Sequence, residues 1–246
     1  MRADAETILE QLRRVDAERA RRRASPALVQ RVHAVKRYQQ RRFSHTYADL
    51  LASERYQAAA RFFLDELYGP RDFTERDAQF ARVVPALVRL FPPGIVGVVG
   101  TLAQLHALSE ALDSALAAHL APGLEVPEID AAAYLAAWRA TGEPAQRERQ
   151  ITLTLDVGTA LDELVRQPLL RHSLKMMRAP ARLAGLAELQ AFLERGFDTF
   201  RAMHGAGQFL AWVAQRERAL VGALFHADPG TALQAARALL PPDAPR

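Results

Sequence analysis

The sequence predicts an all-α protein, an irregular multi-helix bundle of about nine or ten helices in one body or in two closely packed halves. Three observations point there. Ala and Leu dominate while β-branched residues are sparse. Apolar residues recur with the helical period along the whole chain. Ser-Pro and Asp-Pro starts, with Gly and Pro-Pro stops, cut that pattern into pieces of helix length.

The first piece runs from about Asp4 to Arg23. Ser25-Pro26 then offers an N-cap followed by Pro at the first helical position, opening a second helix to about Arg42. Ser53 is positioned to cap a third, ending at Gly69-Pro70. Thr74 leads Glu75 and Asp77, so the next first turn carries the acid that a helix N-terminus favours. Pro85 should kink or restart that helix before Pro92-Pro93 ends it. A long helix is expected from about Gly94 to Leu120, and another opens at Pro127 or Asp130 and closes near Gly142. Pro144 to Gln167, Pro168 to Arg178, Ala181 to His204, Gly207 to Ala227 and Pro229 to Leu240 complete the order. One segment dissents: Ile151–Val157 alternates apolar and polar residues as a half-buried strand would. With no ladder partner in the chain, it is expected to be helical.

The domain reading is a basic N-terminal helical arm over 1–42 and a helical core over 43–246, subdivided near 123–128. Residues 1–50 hold 12 basic and 6 acidic side chains, so the whole net charge of +4 is carried by this segment. Its densest points are Arg21, Arg22 and Arg23, then Arg41 and Arg42. Such an arm can contact phosphates or acidic lipid. Equally, it can form a solvated face or pack on an acidic neighbour. No recognition helix or RNA-binding aromatic motif accompanies it.

Several chemistries are excluded. The chain has no cysteine, which removes disulfides, thiolate metal sites and a Cys nucleophile. Met1–Thr7 is charged and lacks an apolar run, so no secretory leader is expected. No Gly-x-Ser-x-Gly elbow, phosphate loop or His-Glu-x-x-His pattern occurs. The 20 residues between Arg89 and Glu110 carry no charge, a length near that of a membrane span. Pro92-Pro93 interrupts them and Gln104, His106 and Ser109 make their second half polar, so a buried helix is expected instead. Gly94, Gly97 and Gly100 within it suggest a smooth face for close backbone approach. His106, Glu110 and Asp113 share one helix face beside the Leu102, Leu105, Leu112, Leu116 stripe, and are expected to face solvent. Neither a metal nor a cofactor is expected.

Two polar clusters fall where periodicity predicts burial or a rigid turn. Glu217 shares a stripe with Leu210, Val213, Val221 and Leu224, and Arg216 lies beside Phe209, Trp212 and Leu220. A buried charge needs a partner, so Arg216 or Glu217 should pair with an opposite charge on another helix. The turn Tyr68-Gly-Pro-Arg71-Asp72-Phe73 joins two helices, where Tyr68, Arg71 and Asp72 either bind a ligand or cap the helix ends.

The stretches Phe62-Phe-Leu-Asp-Glu-Leu-Tyr-Gly-Pro-Arg-Asp-Phe73 and Leu189-Gln-Ala-Phe-Leu-Glu-Arg-Gly-Phe197 resemble those of an uncharacterised family of bacterial, proteobacterial, all-helical proteins. The likeness covers about residues 40–226. It implies a bacterial cytosolic helical protein and carries no catalytic residue across. The function is therefore open. The leading reading is a non-catalytic helical binding or protein-interaction protein of the bacterial cytoplasm, with a protein partner or a second copy of itself. The alternative is an enzyme or small-ligand carrier with an interhelical pocket. A third is nucleic-acid association through the basic arm. No membrane partner is expected.

Overall fold

The computed structural model describes residues 4–66, 73–120, 129–226 and 228–243. Among them it is all-α and without a strand, with thirteen helical segments rather than nine or ten. These are α1 (Ala5–Arg23), α2 (Pro26–Thr46), α3 (Ala48–Ala52), α4 (Gln57–Glu66), α5 (Thr74–Leu90), α6 (Pro93–Ala118) and α7 (Ala131–Thr141). Then follow α8 (Pro144–Leu164), α9 (Pro168–Met176), α10 (Arg178–Leu183), α11 (Ala187–Ala202), α12 (Gly207–His226) and α13 (Pro229–Ala236). The larger number comes from short segments set off by brief breaks. Tyr47 alone separates α2 from α3, and Met177 alone separates α9 from α10.

The expected caps form. Asp4, Ser25, Asp130 and Asp228 each accept a hydrogen bond from a backbone N–H in the first turn of the helix they open. Gly142 ends α7 at φ +66°, a conformation costly for any residue with a Cβ. Ile151–Val157 lies wholly inside α8, as the missing ladder partner requires. Pro85 sits inside α5 without ending it.

Apolar side chains gather in three buried clusters that share helices. Ile8 and Leu12 of α1 meet Val84 of α5 and Val96 and Ala103 of α6. The far end of α6 joins α2, α7, α12 and α13 around Tyr38, Leu116, Tyr134 and Trp138. The third cluster packs Phe43, Tyr47 and Phe63 against Phe197, Phe200 and Phe209 of α11 and α12. Helix α6 therefore runs from one cluster into another, with α1, α2 and α8 along its sides. It is the one helix among the described residues long and apolar enough to cross a membrane, and here it is packed among other helices.

Two details revise the role expected of glycine. Nothing among the described residues lies within 4 Å of the position a Cβ would take at Gly94 or Gly97, so neither serves a close approach. Close approach occurs instead at Gly158, where a Cβ would stand 2.5 Å from Leu210, and at Gly196, 3.2 Å from the Phe62 ring. The second contact joins the two stretches that carry the family resemblance. Phe62 stacks on Phe192 with ring centroids 5.6 Å apart, and Arg195 pairs with Glu66 at 2.8 Å. Each stretch is an amphipathic helix with an aromatic face, and those faces meet.

Candidate functional site

The polar face of α6 turns inward. His106, Glu110 and Asp113 do share a face, but it looks into the bundle, because α1 and α2 lie across it while α8 covers another side. A helix enclosed from several directions buries more than its apolar stripe, and the acids on it then need counter-charges. The N-terminal segment supplies them. Arg22, in the last turn of α1, pairs with the Glu110 carboxylate and donates to the Glu110 carbonyl and, at 2.5 Å, to Ser114 Oγ. Lys36 Nζ donates to the other Glu110 oxygen at 2.8 Å. Gln39 Nε2 donates to Asp113 Oδ1 at 3.0 Å.

Two acids one turn apart are thereby driven in opposite directions. Burial pushes the Glu110 carboxyl up, but Lys36 and Arg22 overcome it and hold it at about 2. Asp113 is also buried, and burial raises its pKa. Its hydrogen-bond partner is a neutral amide, and the Glu110 charge adds to the rise. A smaller cluster continues along α6. Asp77 of α5 accepts from Arg19 at 2.8 Å and contacts His106 Nε2 at 2.8 Å. Burial raises its pKa, yet the His106 hydrogen bond and the Arg19 and Arg76 charges leave it below the ordinary carboxylate value.

Arg216 and Glu217 both meet opposite charges on other helices. Glu217 pairs with buried Arg42 of α2 and accepts from Tyr47 Oη at 2.7 Å. Arg216 grips Asp49 of α3 through two bonds, at 2.7 and 2.6 Å, and donates to the Thr46 carbonyl at 2.8 Å. Together they lock α12 to the α2–α3 corner. Tyr68, Arg71 and Asp72 lie outside the described residues.

The basic patch is only partly a surface feature. Arg22 and Arg42 are buried, 7% and 4% exposed, and belong to the interior pairs just described. The expectation that they help form an exposed basic surface is therefore corrected, since helical geometry turns every third or fourth residue of α1 and α2 toward the acids of α6 and α12. Arg41 donates to the Ile129 carbonyl at 2.9 Å and lies over the Tyr38 ring. Arg21 is exposed and pairs with Glu18 at 2.5 Å, and Arg23 is exposed.

Two open hollows mark the surface. One, of about 490 Å³, lies between α4 and α11 and is lined by Arg61, Phe62, Asp65, Glu66, Glu194 and Arg195. The other, of about 430 Å³, is flanked by Asp162, Arg166, Phe200 and His204. There Asp162 already accepts from the Ala206 N–H at 2.9 Å and pairs with Arg166. Among the described residues no group of three or more His, Asp or Glu is placed to hold a metal.

Residues 18–231 match the family described as Domain of unknown function (DUF8198). The chain belongs to that family. No curated protein and no solved structure matches the chain. The matched region of this domain of unknown function takes in the interior charges from Arg19 to Glu217 and both stretches that carry the resemblance.

Sequence reasoning missed Arg19, Lys36, Gln39, Asp77 and Ser114 as parts of one buried polar seam. A signal was present: Glu110 and Asp113 are the only Asp or Glu in a 26-residue helix that carries no Lys or Arg, and the chain has an Arg-rich segment to answer them. It also missed the outer face of α9 and α10, where Leu169, Met176, Met177 and Leu183 stand exposed.

Proposed function

We propose that the chain is a non-catalytic binding protein of the bacterial cytoplasm, acting through its surface. The observation that carries this reading is where its interior charges are spent. Glu110, Asp77 and Glu217 are each held by basic side chains of the neighbouring helices. Neither hollow described above is lined by any of these three acids. An acid or base poised for catalysis needs access to a substrate and a tuned pKa. These three acids fulfil a structural role, while buried Glu66 and Asp162, which do line the hollows, are paired with Arg195 and Arg166. To test the reading, purified chain is incubated with a bacterial metabolite extract and the extract is followed by mass spectrometry. No compound should be consumed faster than with heat-denatured chain. Catalytic turnover of any compound overturns the reading.

The α4–α11 hollow favours a second reading, a small-ligand carrier. Its volume lies in the range of small-molecule sites, and it combines the Phe62 ring with charges of both signs. Native mass spectrometry decides this one, since a carrier should show a copurified mass that is lost on denaturation. Nucleic-acid association has less support, because Arg22 and Arg42 are withdrawn into the interior.

A further inference from the structure

Between Glu163 and Glu188 the sequence places Arg166, Arg171, Lys175, Arg178 and Arg182 with no Asp or Glu among them. This stretch contains α9 and α10, which act nearly as one helix. Met177 N donates to the Ser173 carbonyl at 3.0 Å and Ala181 N to the Met177 carbonyl at 2.8 Å, so helical bonding continues through the break. The break falls at Met177, just after Met176, whose carbonyl lacks its usual donor because Pro180 has no N–H.

The inner side of this helix is fixed to the body. Leu170 and Leu174 pack on the third apolar cluster and Ala181 is buried. Arg171 pairs with Asp198 at 2.7 Å, Arg178 pairs with Glu194, and Gln190 Nε2 donates to the Leu174 carbonyl at 2.6 Å. The outer side is different. Leu169, Met176 and Leu183 recur every seventh residue, nearly two helical turns, and so fall on one face. They are 78%, 65% and 91% exposed. Lys175 and Arg182 also recur at seven, directly beside that stripe, and are exposed. No ion pair among the described residues engages either of them.

We infer that the outer face of α9–α10 docks the protein onto an anionic lipid surface. Charge complementarity selects the occupant. A second copy would set Lys175 and Arg182 against their own kind, which works against self-pairing. An acidic surface satisfies both cations while the stripe beside them leaves water. The three apolar side chains stand exposed along one helix face. That arrangement suits insertion among lipid headgroups and acyl chains, the habit of basic amphipathic helices. A protein partner would have to bring its own groove. The earlier expectation of no membrane partner rested on spanning length, which this peripheral contact does not require. The inference deepens the reading of the chain as a binding protein and rests on it.

The test is co-sedimentation of the full chain with vesicles of phosphatidylcholine and phosphatidylglycerol, against phosphatidylcholine alone, at low and high salt. Binding is expected to the anionic vesicles only, and to weaken with salt. Replacing both cations, Lys175→Gln with Arg182→Gln, should weaken it roughly thirtyfold. Leu169→Asp with Leu183→Asp should abolish it while circular dichroism stays unchanged. Lack of binding to anionic vesicles at low salt, or equal binding by these variants, overturns the proposal. Binding to poly-glutamate without vesicle binding assigns the face to an acidic protein and also overturns it. In both cases the binding-protein reading survives, since only turnover removes it.

Discussion

Two basic segments of this chain end in opposite situations. In α1 and α2, Arg22, Lys36 and Arg42 are drawn inward by acids on α6 and α12. In α9 and α10, Asp198 and Glu194 reach Arg171 and Arg178, while Lys175 and Arg182 stay at the surface beside exposed apolar side chains. Both are rich in basic residues, although the first also holds acids and the second holds none. The difference lies in the opposing helices: α6 presents acids at inward positions of a helix flanked by several others, whereas α9–α10 has neighbours on one side only. Charge density in the sequence therefore marks where cations are, and the topology around them decides whether they build the interior or face a partner.

The largest effect should come from breaking the interior side of this contrast. Glu110→Ala leaves buried Arg22 with only the longer Glu18 contact, at 3.9 Å, and half-buried Lys36 without its carboxylate partner, and should cost about 3–5 kcal/mol in urea unfolding. Replacing the group together, Arg22→Met, Lys36→Met and Glu110→Leu, should restore most of that loss, because a buried ion group and a well-packed apolar one are close in stability. If the triple variant is as unstable as the single one, the seam is doing more than neutralising its own charges. Glu217→Ala should cost less, about 2–3 kcal/mol, since it removes the carboxylate that Arg42 and the Tyr47 hydroxyl share, at a somewhat more open position.

Acid sharpens the same point. Glu110 is held at about 2 against an ordinary value of 4.5. Its contribution is thus fully present above pH ~4.5 and is lost as pH falls toward 2. Asp113 runs the other way. Its pKa is raised in the folded chain, so it costs stability as pH climbs above the ordinary carboxylate value. Asp113→Asn keeps a partner for Gln39 and removes that cost. It should stabilise the chain by about 0.5–1 kcal/mol at neutral pH, with a gain that shrinks in acid. A loss at neutral pH would mean that Asp113 is ionised and charge-paired, and would erase the distinction between the two acids.

The fold was legible because its signals are local. Asp4, Ser25, Asp130 and Asp228 are caps that a helix end needs whatever surrounds it, and Pro229 and Gly142 mark ends by backbone constraint alone. The pairing of Arg216 and Glu217 was legible for a related reason: a charge on an apolar stripe must find a partner. The inward turn of His106, Glu110 and Asp113 was not legible, since periodicity ranks the faces of one helix and cannot count how many neighbours will enclose it. The split of the Arg-rich segment between interior and surface was hidden for the same reason. Nor could spacing show that Gly158 and Gly196, rather than Gly94 and Gly97, would be the glycines pressed by a neighbour.

The smallest effects belong to the outer face of α9–α10. Leu183 is 91% exposed, so Leu183→Asp loses almost no packing and should change stability by no more than about 0.5 kcal/mol. Lys175→Gln should behave alike, having no ion pair among the described residues to lose. A thermal melt of either variant should overlay that of the parent chain, while Leu174→Asp, next to Lys175 but on the inner side, should unfold far earlier. That asymmetry along one helix is what separates a docking face from a packing face. If Leu183→Asp lowers the midpoint as Leu174→Asp does, the stripe is part of the fold and the contrast between the two basic segments fails. If it does not, three large apolar side chains are held in water by a helix that gains nothing from them, and their counterpart has to be sought outside the chain.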